Sequence, residues 1–227
     1  MLEQELQWEK DIFFFLNGSN STLLDNFFWG YSWKWTWIPF YLCFFFVFVY
    51  KNDRKETLLI ILSVTILVFL CDQIASGFCK PFFHRFRPSH HPDFQEQVKI
   101  VFGYKGGKYG FISSHAANAF GFAVFTARLF KNKFFTGTIL LFALINAYSR
   151  VYLGVHFISD IIVGAVVGVI LGFTVYWLYD LCKRKFLKIN IPPKTNPFYP
   201  VKTIYFLCAA YFAMLLFLFL YAFVSNY

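Results

Sequence analysis

The sequence predicts an all-α, polytopic membrane bundle of about six transmembrane helices, with an interfacial helix at its N-terminal end. Three observations carry this expectation. Of the 227 residues 58% are hydrophobic and only 15% charged, with a mean hydropathy of +0.53, too apolar a balance for a soluble domain of this length. Several apolar runs approach the roughly 20 residues needed to cross the hydrocarbon. The lysines and arginines gather in short clusters at the ends of those runs. The net charge of +9 therefore points to topology and anionic headgroups, and no nucleic-acid partner is expected.

Residues 1–30 pass from an acidic start, "MLEQELQWEKD", to the aromatic "DIFFFLNGSNSTLLDNFFWGY". This pattern predicts a helix and turn lying in the interface, broken at "NGSNS". The acidic start also argues against a cleavable signal peptide. Apolar runs then follow at 36–50, 57–78, 111–130, 134–149 and 157–181, with a sixth at 203–224. They are read as helices because lipid-exposed backbone must satisfy its own hydrogen bonds. Residues 31–181 make the predicted catalytic bundle, and 182–227 a proline-rich connection and an accessory last helix. Cys43, Cys71, Cys79, Cys182 and Cys208 show no CxxC spacing and are read as small core residues, with no metal site implied.

The basic loops at 51–56 ("KNDRKE"), 128–133 ("RLFKNK") and 182–202 alternate with polar loops at 79–110 and 149–156. By the positive-inside rule the first set faces the cytoplasm. The loop at 79–110 is basic too, but half of its cations, Lys80, Arg85 and Arg87, belong to a motif.

Three clusters carry the chemistry: "KPFFHRFRP" (80–88), "GFISSHAAN" (110–118) and "SRVYLGVHFISD" (149–160). The predicted topology brings all three to one membrane face. Ionisable side chains at a bilayer are costly and mark function. Guanidinium forks and a lysine point charge suit phosphoryl oxygens, so Lys80, Arg87 and Arg150 are candidate phosphate ligands. His156 and Asp160 stand four apart at a helix start, where the carboxylate can accept the Nδ1 proton and leave Nε2 as a nucleophile. His115 is placed to protonate the leaving group and later to activate water. Backbone N–H groups around Ser113 and Ser114 are candidate phosphate donors. Such an inventory needs no metal and no cofactor. Four-residue steps from His156 run through Asp160, Gly164, Gly168 and Gly172, and from His115 through Ala119, Ala123 and Ala127, small-residue stripes that allow close helix approach.

The pattern Lys-x6-Arg-Pro, Ser-x-His, Ser-Arg-x5-His-x3-Asp, running from Lys80 to Asp160, resembles the type 2 phosphatidic acid phosphatase (PAP2) superfamily, which includes membrane lipid phosphatases and soluble vanadium haloperoxidases. The resemblance implies Lys80, Arg87 and Arg150 as phosphate ligands, His115 as acid, His156 as nucleophile and Asp160 as its partner. One departure stands out: the usual Pro-Ser-Gly-His is here Ile112-Ser113-Ser114-His115, and the missing glycine matters only if position 114 needs a positive φ.

Other polar residues keep two readings. His84, His90 and His91 are expected in a solvated loop or at a substrate rim. Asp72 either pairs with a site cation or is a buried structural acid, and Asn118 and Asn146 either support the site or bond between helices. Ser149 either donates to phosphate or caps a helix.

The expected function is phosphate removal from a membrane lipid phosphate or diphosphate through a phosphohistidine, in the cytoplasmic membrane with the site facing the periplasm or exterior. By family analogy undecaprenyl diphosphate and lipid A lead, ahead of phosphatidylglycerophosphate and phosphatidate. The alternative is a non-catalytic phospholipid-binding or transport protein. Haloperoxidase chemistry is disfavoured, because those relatives are soluble. Oligomeric state is not encoded in any pattern found.

Overall fold

The computed structural model describes residues 7–187 and 199–225; part of the predicted connection, 188–198, lies outside the described residues. The helices, in chain order, are α1 (Gln7–Asn17), α2 (Thr22–Ser32), α3 (Ile38–Lys51), α4 (Arg54–Asp72), α5 (Lys80–Phe83), α6 (Ser114–Phe130), α7 (Lys133–Tyr152), α8 (Ile158–Cys182) and α9 (Val201–Val224). Among the described residues there is no strand, only a single bridge between Phe86 and Tyr109.

Local chemistry sets several boundaries. Asp53, Ser113 and Asn132 each place a side-chain oxygen on the N–H three residues ahead, at 2.8 Å for Glu56, 3.4 Å for Ala116 and 3.0 Å for Phe135. Each thereby satisfies a donor that the first helical turn leaves open. α6 stops where Lys131 turns left-handed, at φ 50°.

One boundary differs from expectation. A loop was predicted from residue 79, but the helical rod continues from Arg54 to Phe83. Pro81 lacks an N–H and its ring crowds the carbonyl four residues back, and the chain accommodates it with a π turn over Gln73–Cys79. Lys80 donates its N–H to Ala75, five residues back. The lysine of the first motif therefore stands on a helix.

Among the described residues, Arg54–Phe83, Lys133–Tyr152, Ile158–Phe186 and Val201–Val224 are long and apolar enough to cross a membrane, and α2 with Lys34–Lys51 forms a fifth candidate bent by 66°. α6 is shorter, 17 residues or about 26 Å, and packs between α4, α7 and α8. The predicted boundary at residue 30 falls inside α2.

The two ends of the bundle differ in chemistry. Glu56 accepts from Tyr179 at 2.8 Å and pairs with Lys183, Asn52 bonds Tyr199 at 2.9 Å, and the rings of Phe130 and Tyr199 meet at 4.5 Å. The three predicted cytoplasmic loops thus share one end. The starts of α6 and α8, the end of α7 and α5 share the other, with α1 laid over them. Phenylalanine does two jobs: Phe40, Phe44, Phe130 and Phe142 fill the interior while Phe46, Phe69 and Phe217 are exposed to the lipid side.

The glycine stripe of α8 lies on the backbone of α6. A Cβ built on Gly164 would stand 2.5 Å from the Ser113 carbonyl oxygen and one on Gly172 2.7 Å from that of Gly121, while at Gly168 it would overlap the Ala117 carbonyl. Gly168→Leu is therefore expected to destabilise by about 3 kcal/mol, read as a lowered Tm in detergent. An unchanged Tm would show that the two helices can separate freely.

Candidate active site

His156 sits in the turn between α7 and α8, 1% exposed. Arg87 donates from Nη1 to its Nε2 at 3.2 Å and to the Val155 carbonyl at 3.1 Å, and from Nε to the Tyr109 carbonyl at 3.1 Å. A guanidinium has no acceptor, so Nε2 carries the lone pair and the ring proton is on Nδ1. That proton faces Oδ2 of Asp160 at 3.2 Å. The same oxygen accepts the Phe157 N–H at 3.1 Å, and Asp160 is fully buried.

The other predicted residues surround this pair with different commitments. Lys80 donates to Ser76 at 2.8 Å and to the Ser114 hydroxyl at 3.3 Å. His115, in the first turn of α6, lies within electrostatic reach of Arg150, His156, Arg87 and Lys80. Arg150 is 2% exposed and bonds Ser32 and, at 3.0 Å, the Tyr104 hydroxyl; its Nε is buried without a hydrogen-bond partner among the described residues. The Ser113 N–H, expected to face phosphate, donates to the Asp160 carbonyl at 3.0 Å, and its hydroxyl caps α6. Ser113 thus ties the second motif to the third. Ser114 begins α6 and is not among the positive-φ residues, so a serine replaces the family's glycine without strain.

Cations crowd here. Burial, and then the charge of Arg150, pull Arg87 from its ordinary 12.5 down to about 10. An anion bound among Lys80, Arg87 and Arg150 would relieve that repulsion.

Several neighbours were given no role from sequence. Arg85 bonds Oδ1 of Asp160 at 2.8 Å and Glu9 at 2.8 Å, and Ser32 and Tyr104 hold Arg150. No spacing rule links these positions, which lie on separate elements. Asp72 proves exposed; it acts on Lys80 by its charge and is linked to it through Ser76, which donates to Asp72 at 3.3 Å. Ser149 donates to the Asn146 carbonyl at 2.6 Å. Of the loop histidines, His91 is buried, its ring stacked on Phe94 at 4.1 Å, because an aromatic partner folds over it. A cavity of about 640 Å³ adjoins Ser114 and His115 and runs between α3, α4 and α6 to Phe48, with Asp72 and Asn118 near its polar end. The Asn118 Oδ1 is buried with no hydrogen-bond partner among the described residues.

The central part of the chain, residues 57–184, matches the PAP2 superfamily, and the chain belongs to that superfamily, in a helical, membrane-embedded form. It is similar to a lipid A 4'-phosphatase of Porphyromonas gingivalis, with 48% identity over 198 residues, 87% of this chain and 84% of the relative. A lipid A 4'-phosphatase of Bacteroides thetaiotaomicron is 32% identical over 179 residues, 78% of this chain and 80% of the relative. Among solved structures, Aquifex aeolicus LpxE shares the fold, with a TM-score of 0.58 and 24% identity, over 77% of this chain and 98% of that chain.

Proposed function

We propose that this PAP2-type phosphatase removes a phosphomonoester from the glucosamine headgroup of lipid A, by way of a phosphohistidine on His156. The reading rests on one observation: His156 is held between Asp160 on Nδ1 and Arg87 on Nε2, within electrostatic reach of His115, which lines the cavity. On binding, the phosphoryl oxygens take the donors of Arg87, Lys80 and Arg150, and the freed Nε2 lone pair attacks phosphorus. The N–P bond forms as the P–O bond to the sugar breaks, and His115, which takes up a proton from water once the bound phosphate offsets the cations around it, gives that proton to the departing alkoxide. His115 then takes a proton from water, whose oxygen attacks phosphorus; the N–P electrons return to Nε2 and phosphate leaves. The apolar wall of the cavity supports a substrate with hydrocarbon tails.

Two relatives named lipid A 4'-phosphatases, each covering most of the chain, favour lipid A over undecaprenyl diphosphate. Gathering of the basic loops at the far end supports placing the site at the outer face of the cytoplasmic membrane. The test is phosphate release by the detergent-purified protein from lipid A bisphosphate, undecaprenyl diphosphate and phosphatidate, with mass spectrometry locating the phosphate lost. Preference for lipid A at the 4' position supports the proposal. Faster release from undecaprenyl diphosphate reassigns the substrate, and no release from any of them favours the binding or transport reading. Orthovanadate, a mimic of pentacoordinate phosphorus, is expected to inhibit.

The pH profile follows from the same geometry. Burial, then the charges of Arg87, Arg150, Lys80 and Arg85, hold the His156 imidazole well below its ordinary value of 6.5. Protonation would remove the attacking lone pair, so activity is lost as pH falls, and the lowered value moves that loss downward. The acid limb of kcat/KM is expected well below pH 6.5. A midpoint at or above that value contradicts a nucleophile kept neutral by its surroundings.

A further inference from the structure

The buried ion-pair chain behind His156 begins outside the PAP2 match, in α1. Glu9 is 4% exposed, and its two carboxylate oxygens are both used: one accepts Arg85 Nη2 at 2.8 Å, the other the Ser159 N–H at 3.0 Å. Arg85 turns its other terminal nitrogen to Oδ1 of Asp160 at 2.8 Å and to the Ser159 hydroxyl. Its guanidinium also lies 4.5 Å over the Phe157 ring, against which Phe13 of α1 packs at 5.4 Å. Asn17, at the end of α1, donates to the Tyr152 carbonyl at 2.8 Å. The helix is thus bolted to both sides of the turn that carries His156.

Among the described residues Arg85 is the only arginine or lysine in ion-pair contact with Asp160. Arg87 spends its donors on carbonyls and the imidazole, Lys80 on serines, and Arg150 on Ser32 and Tyr104. A carboxylate with no solvent access stays ionised only if paired and hydrogen-bonded. Packing alone would be served as well by apolar side chains of similar volume, whereas a bridging guanidinium fixes charge and angle together.

We propose that Glu9 and Arg85 are positioning residues for His156: Glu9 aims Arg85, Arg85 holds Asp160 ionised and in register, and Asp160 presents the imidazole. α1 is then a working part of the active site. The proposal rests on the reading of His156 as nucleophile.

The test uses the full-length protein in detergent, with lipid A bisphosphate as substrate and His156→Ala as reference. Glu9→Gln is expected to lower kcat about 10-fold and Arg85→Met about 100-fold, with KM changed less than about twofold. Because Glu9 acts through Arg85, the double variant loses no more than Arg85→Met alone. A second readout separates positioning from packing. His156 is faced by Arg85, Arg87 and Lys80 from the first motif, His115 from α6, Arg150 from α7 and Asp160 from α8. Removing the Arg85 charge from this set eases protonation of the imidazole and moves the acid limb of kcat/KM to higher pH, which a packing role does not do. Single variants with kcat within about twofold of wild type, or losses that add in the double, overturn the proposal. Should Arg85→Met fail to fold, the near-isosteric Glu9→Gln decides alone. Activity surviving in His156→Ala overturns instead the nucleophile reading beneath it.

Discussion

Replacing His156 by alanine is expected to abolish phosphate release, lowering kcat by at least about 10⁴-fold. The imidazole is the group that combines a fixed lone pair with a position among the cations, its Nε2 only 3.2 Å from Arg87. Alanine leaves Arg87, Lys80 and Arg150 able to hold phosphate, so binding persists while chemistry stops. The measurement is single-turnover phosphate release beside substrate binding. Wild type should also yield an acid-labile phosphoenzyme that the variant lacks. Release within tenfold of wild type would remove covalent catalysis from consideration. The fold should tolerate the change, because the turn is also held by the Arg150 carbonyl, which accepts the Val155 N–H at 3.1 Å.

Asp160→Asn comes next, with a loss of about 10³- to 10⁴-fold in kcat at nearly unchanged shape. Both carboxylate oxygens are committed, Oδ1 to Arg85 and Oδ2 to His156 and the Phe157 N–H. An amide offers one acceptor and one donor group. If its oxygen faces Arg85, its NH₂ faces Nδ1 and forces the ring proton onto Nε2, where Arg87 already donates; the nucleophile is then blocked. If it turns over, Arg85 meets a donor instead of a counter-charge. Either arrangement costs catalysis, and the second also costs stability, because a buried guanidinium loses the Asp160 counter-charge. Steady-state kinetics and a thermal melt on one preparation separate the two. A variant retaining a tenth of wild-type kcat would show that Asp160 does not set the tautomer.

Much of this site was legible because its residues lie within short stretches whose spacing has a helical meaning. His156 and Asp160 are four apart, and the first turn of α8 makes that separation a contact at 3.2 Å. The glycine stripe likewise told which face of α8 meets α6, although α6 meets it with Ser113, Ala117 and Gly121 and turns the alanine stripe elsewhere in the interior. Other features had no such signal. Glu9 and Arg85 are 76 residues apart, and a glutamate in an amphipathic, aromatic N-terminal stretch reads equally well as an interfacial charge. The commitment of the Ser113 N–H to Asp160 depends on how two helix starts approach, and the burial of His91 on the path of a loop rich in polar residues.

Sequence by itself determined that this chain lives in a bilayer, where its helices run, and which arginines, lysine and histidines gather at one rim. These are consequences of composition and local period, because hydrocarbon excludes unsatisfied backbone and every helix repeats its faces at short, countable steps. Tertiary structure alone decided which charge neutralises which: that Arg85 and not Arg87 pairs with Asp160, that α1 packs behind the His156 turn, and that a cavity opens beside His115. Buried charges choose partners by distance in a low-dielectric interior, and distance across a bundle is a property of how all the helices pack together.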